Sequence, residues 1–273
     1  ALAIGVPGTI AGLFEIHEKY GSMPIQQLIE PAIQLAKNGV VVREAQAKRL
    51  NHHKGSFRKV NQEHIIYDQE WRTGDTIKNP LLAKTLERIK THGRDGFYKG
   101  KTADLIVNHI QNIGGIITKD DLANYEVKWR APITFIYKGH KIISMPPPSS
   151  GGICLAQILK TIEPYDIGQY KHNSTKYIQL IAEAERRSYA DRSYFLGDPD
   201  FITVPIESLT STKYLSQRMQ SFNWKKATKS SELSRGSFSG YESDETTHYS
   251  IVDPFGNSVS VTTTFNGAYG SKV

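Results

Sequence analysis

As far as residue 125, apolar positions recur every three to four places, the period of amphipathic helices. In "TIAGLFEIHEKYG", Ile10, Leu13, Phe14 and His17 fall on one face, and Gly21 is the expected stop. "PIQQLIEPAIQLAKNG" repeats the design as far as Gly39, with Pro31 predicted to kink or split it. "NPLLAKTLERIKTHG" opens on Asn79 as a cap and Pro80 in the first turn, where its missing N–H costs nothing. "KTADLIVNHIQNIGG" predicts a helix with Leu105, Ile106, His109 and Ile113 on one face, and "TKDDLANY" one further turn.

The period then shortens. "APITFIYKGHKIISM" alternates about Lys138-Gly139 and predicts a hairpin. The proline run "MPPPSSGG" leads into the helix "ICLAQILKTIE". "STKYIQLIAEAERRSYADRSYF" is the longest helix, with Ser174 as its cap and Tyr177, Ile178, Ile181, Ala184 and Glu185 on one side, and "GDPDF" is a turn. From Thr228 to Glu245 the chain is poor in apolar residues and rich in Ser, Gly and charge, the composition of a segment that stays mobile. Helices first and strands late predict a mixed α+β fold.

The last stretch, "TTHYSIVDPFGNSVSVTTT", reads as two strands about "PFGN". Closing the turn between Asp253 and Ser258 sets Thr247 opposite Thr264. A slip of one residue sets Thr246 there instead. Threonine is a good strand residue, so a plain solvent-facing hairpin is one reading. The other is a backbone built to be cut before Thr246, freeing a threonine amine to act as a catalyst.

Composition narrows the classes. The chain is 38% hydrophobic, 22% charged and 10% aromatic, which suits a globular protein and not a disordered one. No apolar run approaches the roughly 20 residues of a membrane span. The net charge of +7 is scattered among acids, which argues against a nucleic-acid partner. The single cysteine, Cys154, excludes an internal disulfide and sits in an apolar run as a buried thiol. His52, His53 and His64 lack ligand-spaced partners and read as surface histidines, so no metal is expected. His248 reads as supporting, Ser149 to Gly152 as a helix cap closing the proline turn, and the charges from Glu183 to Arg192 as i,i+4 pairs orienting their helix.

Several blocks resemble the gamma-glutamyltransferase (gamma-glutamyltranspeptidase) family: "GVPGTIAGLFEIHEKYGSMPIQQLIEPAIQLAKNG", "MPPPSSGG", "AEAERRSYADRSYFLGDPDF" and "TTHYSIVDPFGNSVSVTTTFNGAYGSKV". The resemblance implies part of a four-layer αββα N-terminal-nucleophile hydrolase sandwich, incomplete at both ends and forming one structural domain. It implies a precursor cut between Glu245 and Thr246, giving a large-subunit portion, 1–245, and the start of a small subunit, 246–273. By the same resemblance Thr246 is the nucleophile, Thr264 the threonine that tunes it, and Asn266 a residue holding the amino-acid end of the glutamyl group. Cutting gives Thr246 an α-amine of ordinary pKa about 7.7–8.0, a base in the same residue as the hydroxyl.

The implied reaction passes a γ-glutamyl group from glutathione or a related donor, through an ester on Thr246, to water or to the amine of an amino acid or peptide, without a cofactor. The rest of the small subunit is the implied protein partner, and the periplasm or medium the implied compartment. The family's arginine for the substrate carboxylate, its acidic pair, its serine pair and its oxyanion-hole glycines fall outside the matched blocks. A missing oxyanion hole alone costs about 10²–10³ in rate, so these 273 residues by themselves are expected to have little activity and to remain uncut. The alternatives are a relative acting on poly-γ-glutamate or another acyl amide, and an uncleaved, non-catalytic fragment.

Overall fold

The computed structural model describes residues 2, 4–61, 63–233, 246–264 and 269–272. Contacts divide the chain into two compact units, residues 1–128 with 242–273, and residues 129–241. The sequence reading took one domain in two covalent portions; contact units and covalent portions are different divisions.

The first unit is mainly helical. It contains α1 (Thr9–Tyr20), α2 (Ile25–Asn38), β1 (Val40–Val41), α3 (Glu44–Val60), β2 (Thr76–Ile77), α4 (Pro80–His92), α5 (Asp95–Tyr98), α6 (Gly100–Asn112) and α7 (Lys119–Ala123). Its stops and caps follow the sequence. The Gly21 N–H closes α1 on the His17 carbonyl, and Asn79 Oδ1 accepts from the Leu82 N–H at 2.9 Å at the start of α4. Thr118 and Asp121 form a reciprocal capping box on α7.

Two expectations for this unit are revised, the split at Pro31 and the buried face of α6. Pro31 does not split α2, which runs unbroken to Asn38. Pro31 lies on the exposed side of the helix, where water can satisfy the carbonyl that its missing N–H leaves unpaired. On α6 the buried stripe is Thr102, Ala103, Val107 and Ile110, whereas Leu105 is exposed. Small Ala103 and β-branched Val107 and Ile110 pack closely with Ala11, Tyr98, Ile117 and Leu122, and Ile106 only flanks them. The Tyr98 hydroxyl ties this core to the segment entering α1, donating to the Pro7 carbonyl at 2.6 Å and accepting from the Ala11 N–H at 3.1 Å. A second core gathers Val42, Ala47, Leu50, Phe57, Trp71 and Ile77 beneath α3.

The second unit sets a hairpin, β3 (Ile133–Tyr137) and β4 (His140–Ser144), against α8 (Gly151–Ile162), α9 (Thr175–Phe195), α10 (Ile206–Leu209) and α11 (Thr212–Arg218). Lys138 and Gly139 both have positive φ, as a two-residue turn matched to strand twist requires. Cys154 is buried in α8, as expected. The buried stripe of α9 is Leu180, Glu183, Ala184, Arg187, Ser188 and Asp191, not the expected face, since Ile178 is half exposed. Burying a side chain of the size of Leu180 contributes ~1.5–3 kcal/mol. The charges beside it need internal partners to avoid a penalty of similar size or more. Sequence periodicity reads such charges as solvent-facing, which is why the face was misjudged.

The candidate active site

The last hairpin pairs β5 (Thr246–Val252) with β6 (Ser258–Thr264) in antiparallel register. Thr246 pairs with Thr264, Thr247 with Thr263, His248 with Thr262 and Val252 with Ser258. Of the two registers open to the sequence, this is the slipped one. Its cause lies in the turn. The Asp253 N–H donates to the Asn257 carbonyl at 3.0 Å, so the reversal closes between 253 and 257, one residue earlier than a "PFGN" loop.

The Asp253 carboxylate holds that short loop. Oδ1 accepts from the Phe255 and Asn257 N–H groups, both at 2.9 Å, and Oδ2 from the Asn257 side-chain amide at 2.8 Å. Gly256 supplies the left-handed step, φ +84°, that completes the reversal. The Asn257 side chain foremost, with the Asn257, Phe255 and Gly256 N–H groups, holds the Asp253 carboxyl below the ordinary carboxylate range, against a smaller opposing effect of burial. Asp253 was the residue the sequence reading missed. Its signal was there: an aspartate followed by Pro, then Gly and Asn, is an Asx turn in waiting.

Strand alternation gives the hairpin two unlike sides. Positions 246 and 264, 248 and 262, and 250 and 260 share one, which is polar. The other carries the pairs Tyr249–Val261 and Ile251–Val259. Val259 lines a groove of about 570 Å³ together with Leu13, Phe14 and Ile16 of α1, and Leu28 and Ile29 of α2. Of the apolar side, Val259 is thus the residue that reaches the helices, while Tyr249 and Ile251 are exposed. Thr264 is exposed. For Thr246, Thr247 and His248 the structure describes the backbone alone, and Glu245 and Asn266 lie outside the described residues.

The chain leading towards this hairpin is held in the second unit. The segment 228–245 was expected to be mobile throughout; Thr228 and Ser230 are instead tied to α9, and 234–245 lie outside the described residues. Glu183, 2% exposed, accepts from the Thr228 N–H at 2.8 Å and the Thr228 hydroxyl at 2.7 Å. Its carboxylate also pairs with Arg187, which donates through Nε to the Arg218 carbonyl at 2.8 Å and through Nη2 to Ser221 Oγ at 2.8 Å. Burial alone would push the Glu183 carboxyl up. The hydrogen bonds from Arg187 and from Thr228 outweigh it and hold the group below its ordinary value. Arg186 adds a second hold, donating to Ser230 Oγ at 2.9 Å. The i,i+4 pairing read from sequence is real, but it is buried, and the Glu183 carboxylate also accepts from Arg186 Nη1 at 3.2 Å and from residue 228.

No described helix is long and apolar enough to cross a membrane. Among the described residues no group of three His, Cys, Asp or Glu side chains could hold a metal ion. His64 instead contacts Asp68, at 2.5 Å.

Comparison with known proteins assigns the class and then the family. The fold is that of the N-terminal-nucleophile hydrolases: it superposes on the gamma-glutamyltranspeptidase of Helicobacter pylori with a TM-score of 0.80 at 41% identity, covering 89% of this chain and 71% of that one. The Pseudomonas nitroreducens gamma-glutamyltranspeptidase complexed with L-DON gives 0.82 at 38% identity, covering 86% of this chain and 70% of that one. The model of the gamma-glutamyltranspeptidase family matches residues 1–273, and the chain belongs to that family. The glutathione hydrolase proenzyme of Escherichia coli K12 is 44% identical over 277 residues, covering all of this chain and 48% of the relative. The chain therefore spans about half the length of the curated relatives it matches.

Proposed function

We propose that the complete protein is a gamma-glutamyltransferase that acts on glutathione and related γ-glutamyl compounds, with Thr246 as its nucleophile. The observation that carries this reading is the direct pairing of Thr246 with Thr264 in a chain of this family. The names of its relatives, glutathione hydrolase proenzymes, support both the substrate class and a processed precursor.

Two reactions use the same hydroxyl. In the first, Thr246 Oγ attacks the Glu245 carbonyl, the peptide C–N bond breaks, and residue 245 is left as an ester on the oxygen. Water hydrolyses that ester, leaving a carboxylate on Glu245 and a free α-amine on Thr246. In the second, the amine takes the hydroxyl proton as the oxygen attacks the donor's γ-amide, and passes it to the departing amine. The γ-glutamyl ester that remains is transferred to water or to an acceptor amine. A partner hydroxyl at position 264 can donate to the nucleophile or accept from its new amine, holding the oxygen's lone pair on the line of attack. Asn266 holds the amino-acid end of the glutamyl group, the rest of the small subunit completes the site, and the enzyme works in the periplasm or medium.

The test is Thr246→Ala in the complete gene product. It is expected to abolish both self-cleavage, read on a denaturing gel, and release of a chromophore from a γ-glutamyl anilide. A Thr246→Ala protein that still does either sinks the assignment.

A further inference from the structure

We propose that a stripe of α3 is the seat that keeps the two portions of the protein joined once the chain is cut, with Tyr269 as the plug that fills it; this rests on the processing reading above. Arg49, His53, Phe57 and Asn61 recur at every fourth position, so they lie along one face of α3 and its C-terminal cap. All four touch the segment 269–272. The Tyr269 ring meets the Phe57 ring edge to face, with centroids 5.1 Å apart, and the His53 ring in the same way at 5.5 Å. The Arg49 guanidinium lies 5.9 Å from the centre of the tyrosine ring. Asn61 Nδ2 donates to the Lys272 carbonyl at 2.7 Å and to the Phe57 carbonyl at 2.9 Å, which ties the segment to the end of the helix.

The backbone of the segment shows how firmly it is held. Tyr269 and Lys272 have φ of +59° and +64°, and Gly270 between them has +56°. Glycine enters that left-handed region freely, whereas a residue with a side chain does so at a cost that its surroundings must offset. Tyr269 meets that cost by packing on the core of Val42, Leu50, Phe57 and Trp71. Among the described residues past 245 it is the one that joins a buried core, while Tyr249, Ile251 and Val259 are each about half exposed. Before scission a continuous chain keeps residues 246–273 close to α3 whatever these contacts contribute. After scission noncovalent contact alone does so, and interfaces rest chiefly on a few aromatic anchors seated in pockets.

The experiment uses the complete gene product after processing, with the large portion immobilised through a tag. Release of the small portion is timed in urea well below the wild-type unfolding midpoint. Tyr269→Ala is expected to speed release at least about fivefold. Tyr269→Phe keeps the ring and is expected to stay within about twofold of wild type. The double variant His53→Ala, Asn61→Ala alters the seat alone and is expected to reach the same fivefold. If the Tyr269→Ala protein does not fold or is not cut, this double variant decides. A smaller acceleration in the deciding variant overturns the proposal. Where all three changes can be combined, the triple variant is expected to release no more than about twofold faster than Tyr269→Ala, because plug and seat form one interaction. Effects that multiply in full overturn it, since they would belong to separate structural roles. Thr246→Ala, run alongside, separates the two readings. A precursor cut despite that change defeats the nucleophile, whereas a normal cut with release unchanged in the seat variants defeats the seat alone.

Discussion

Thr246 and Thr264 stand directly across from one another because Asp253, seven residues along the chain from the first, closes the turn early. Antiparallel register propagates without loss from turn to strand end, so a choice made at 253–257 decides whether position 264 or position 265 faces residue 246. Replacing Asp253 with Ala removes the acceptor for three donors and frees the loop to relax to four residues. Self-cleavage of the complete protein is expected to slow about fivefold, the effect of losing one net hydrogen bond's worth of preference for this register. Asp253→Asn keeps an acceptor oxygen and is expected to retain most of the rate. Equal rates for Asp253→Ala and wild type would show that the turn does not set the pairing.

The same carboxylate makes the turn sensitive to acid. Its folded value is depressed, so it favours the closed turn above the unfolded carboxylate value of about 3.9, and that contribution disappears as pH falls through the lower folded value. In an NMR titration the amide signals of Phe255 and Asn257 are expected to shift together, with a midpoint below about 3.9. A midpoint at or above that value contradicts the hydrogen-bond pattern.

Thr264 offers a sharper test of the site. If its hydroxyl serves the nucleophile, Thr264→Ala is expected to lower kcat about ten- to a hundredfold with little change in KM, the range for a hydrogen bond to a charged or developing-charge partner. Thr264→Ser keeps the donor and is expected to lose far less. A change confined to KM would move Thr264 from tuning the nucleophile to binding substrate.

Local chemistry in the sequence proved readable where one residue type has one use. Asn79, Ser174, Lys138-Gly139 and Gly21 behave as their turn and cap chemistry requires. The faces of α6 and α9 were misread because both helices carry competing stripes. Which stripe is buried depends on what the rest of the fold offers, a partner core for Ala103 and Val107, and Thr228 and Ser221 for Glu183 and Arg187. The threonines of the hairpin were visible as candidates from sequence. Their register was not, because it turns on a side-chain-to-backbone bond at Asp253 that strand alternation cannot see.

Buried charge also sets a titration signature in the second unit. Tyr214 is pushed up to about 12, first by burial and then by the negative Asp191 to which its hydroxyl bonds. A raised folded value means that the protonated phenol stabilises the fold below the unfolded value of about 10, and that this is lost as pH rises towards 12. Tyr214→Phe is expected to cost about 1–2 kcal/mol at neutral pH, by leaving Asp191 one donor short. It is also expected to flatten the alkaline fall in stability between those two values, measured by urea unfolding. An unchanged alkaline limb would exclude Tyr214 as its source.

The two glycines at the start of α8 make opposite predictions, although the sequence "SSGG" treats them alike. Of the two serines expected to cap this helix, Ser150 makes no capping bond, and its oxygen accepts from Arg192 Nε at 3.0 Å. The Gly151 N–H instead donates to Ser149 Oγ at 3.2 Å. A Cβ on Gly151 would meet only that Ser149 oxygen, at 3.4 Å, an ordinary contact. Gly151→Ala therefore restricts the unfolded chain without strain and is expected to stabilise by about 0.4–1 kcal/mol. A Cβ on Gly152 would collide with the Met145 carbonyl oxygen and press on Ile133, a backbone group and a buried strand residue that cannot swing aside. Gly152→Ala must push α8 off the hairpin and is expected to cost about 1–3 kcal/mol or more. Urea unfolding of the two variants side by side checks both signs. If Gly152→Ala is tolerated as well as Gly151→Ala, α8 does not sit as close to β3 and β4 as this packing requires.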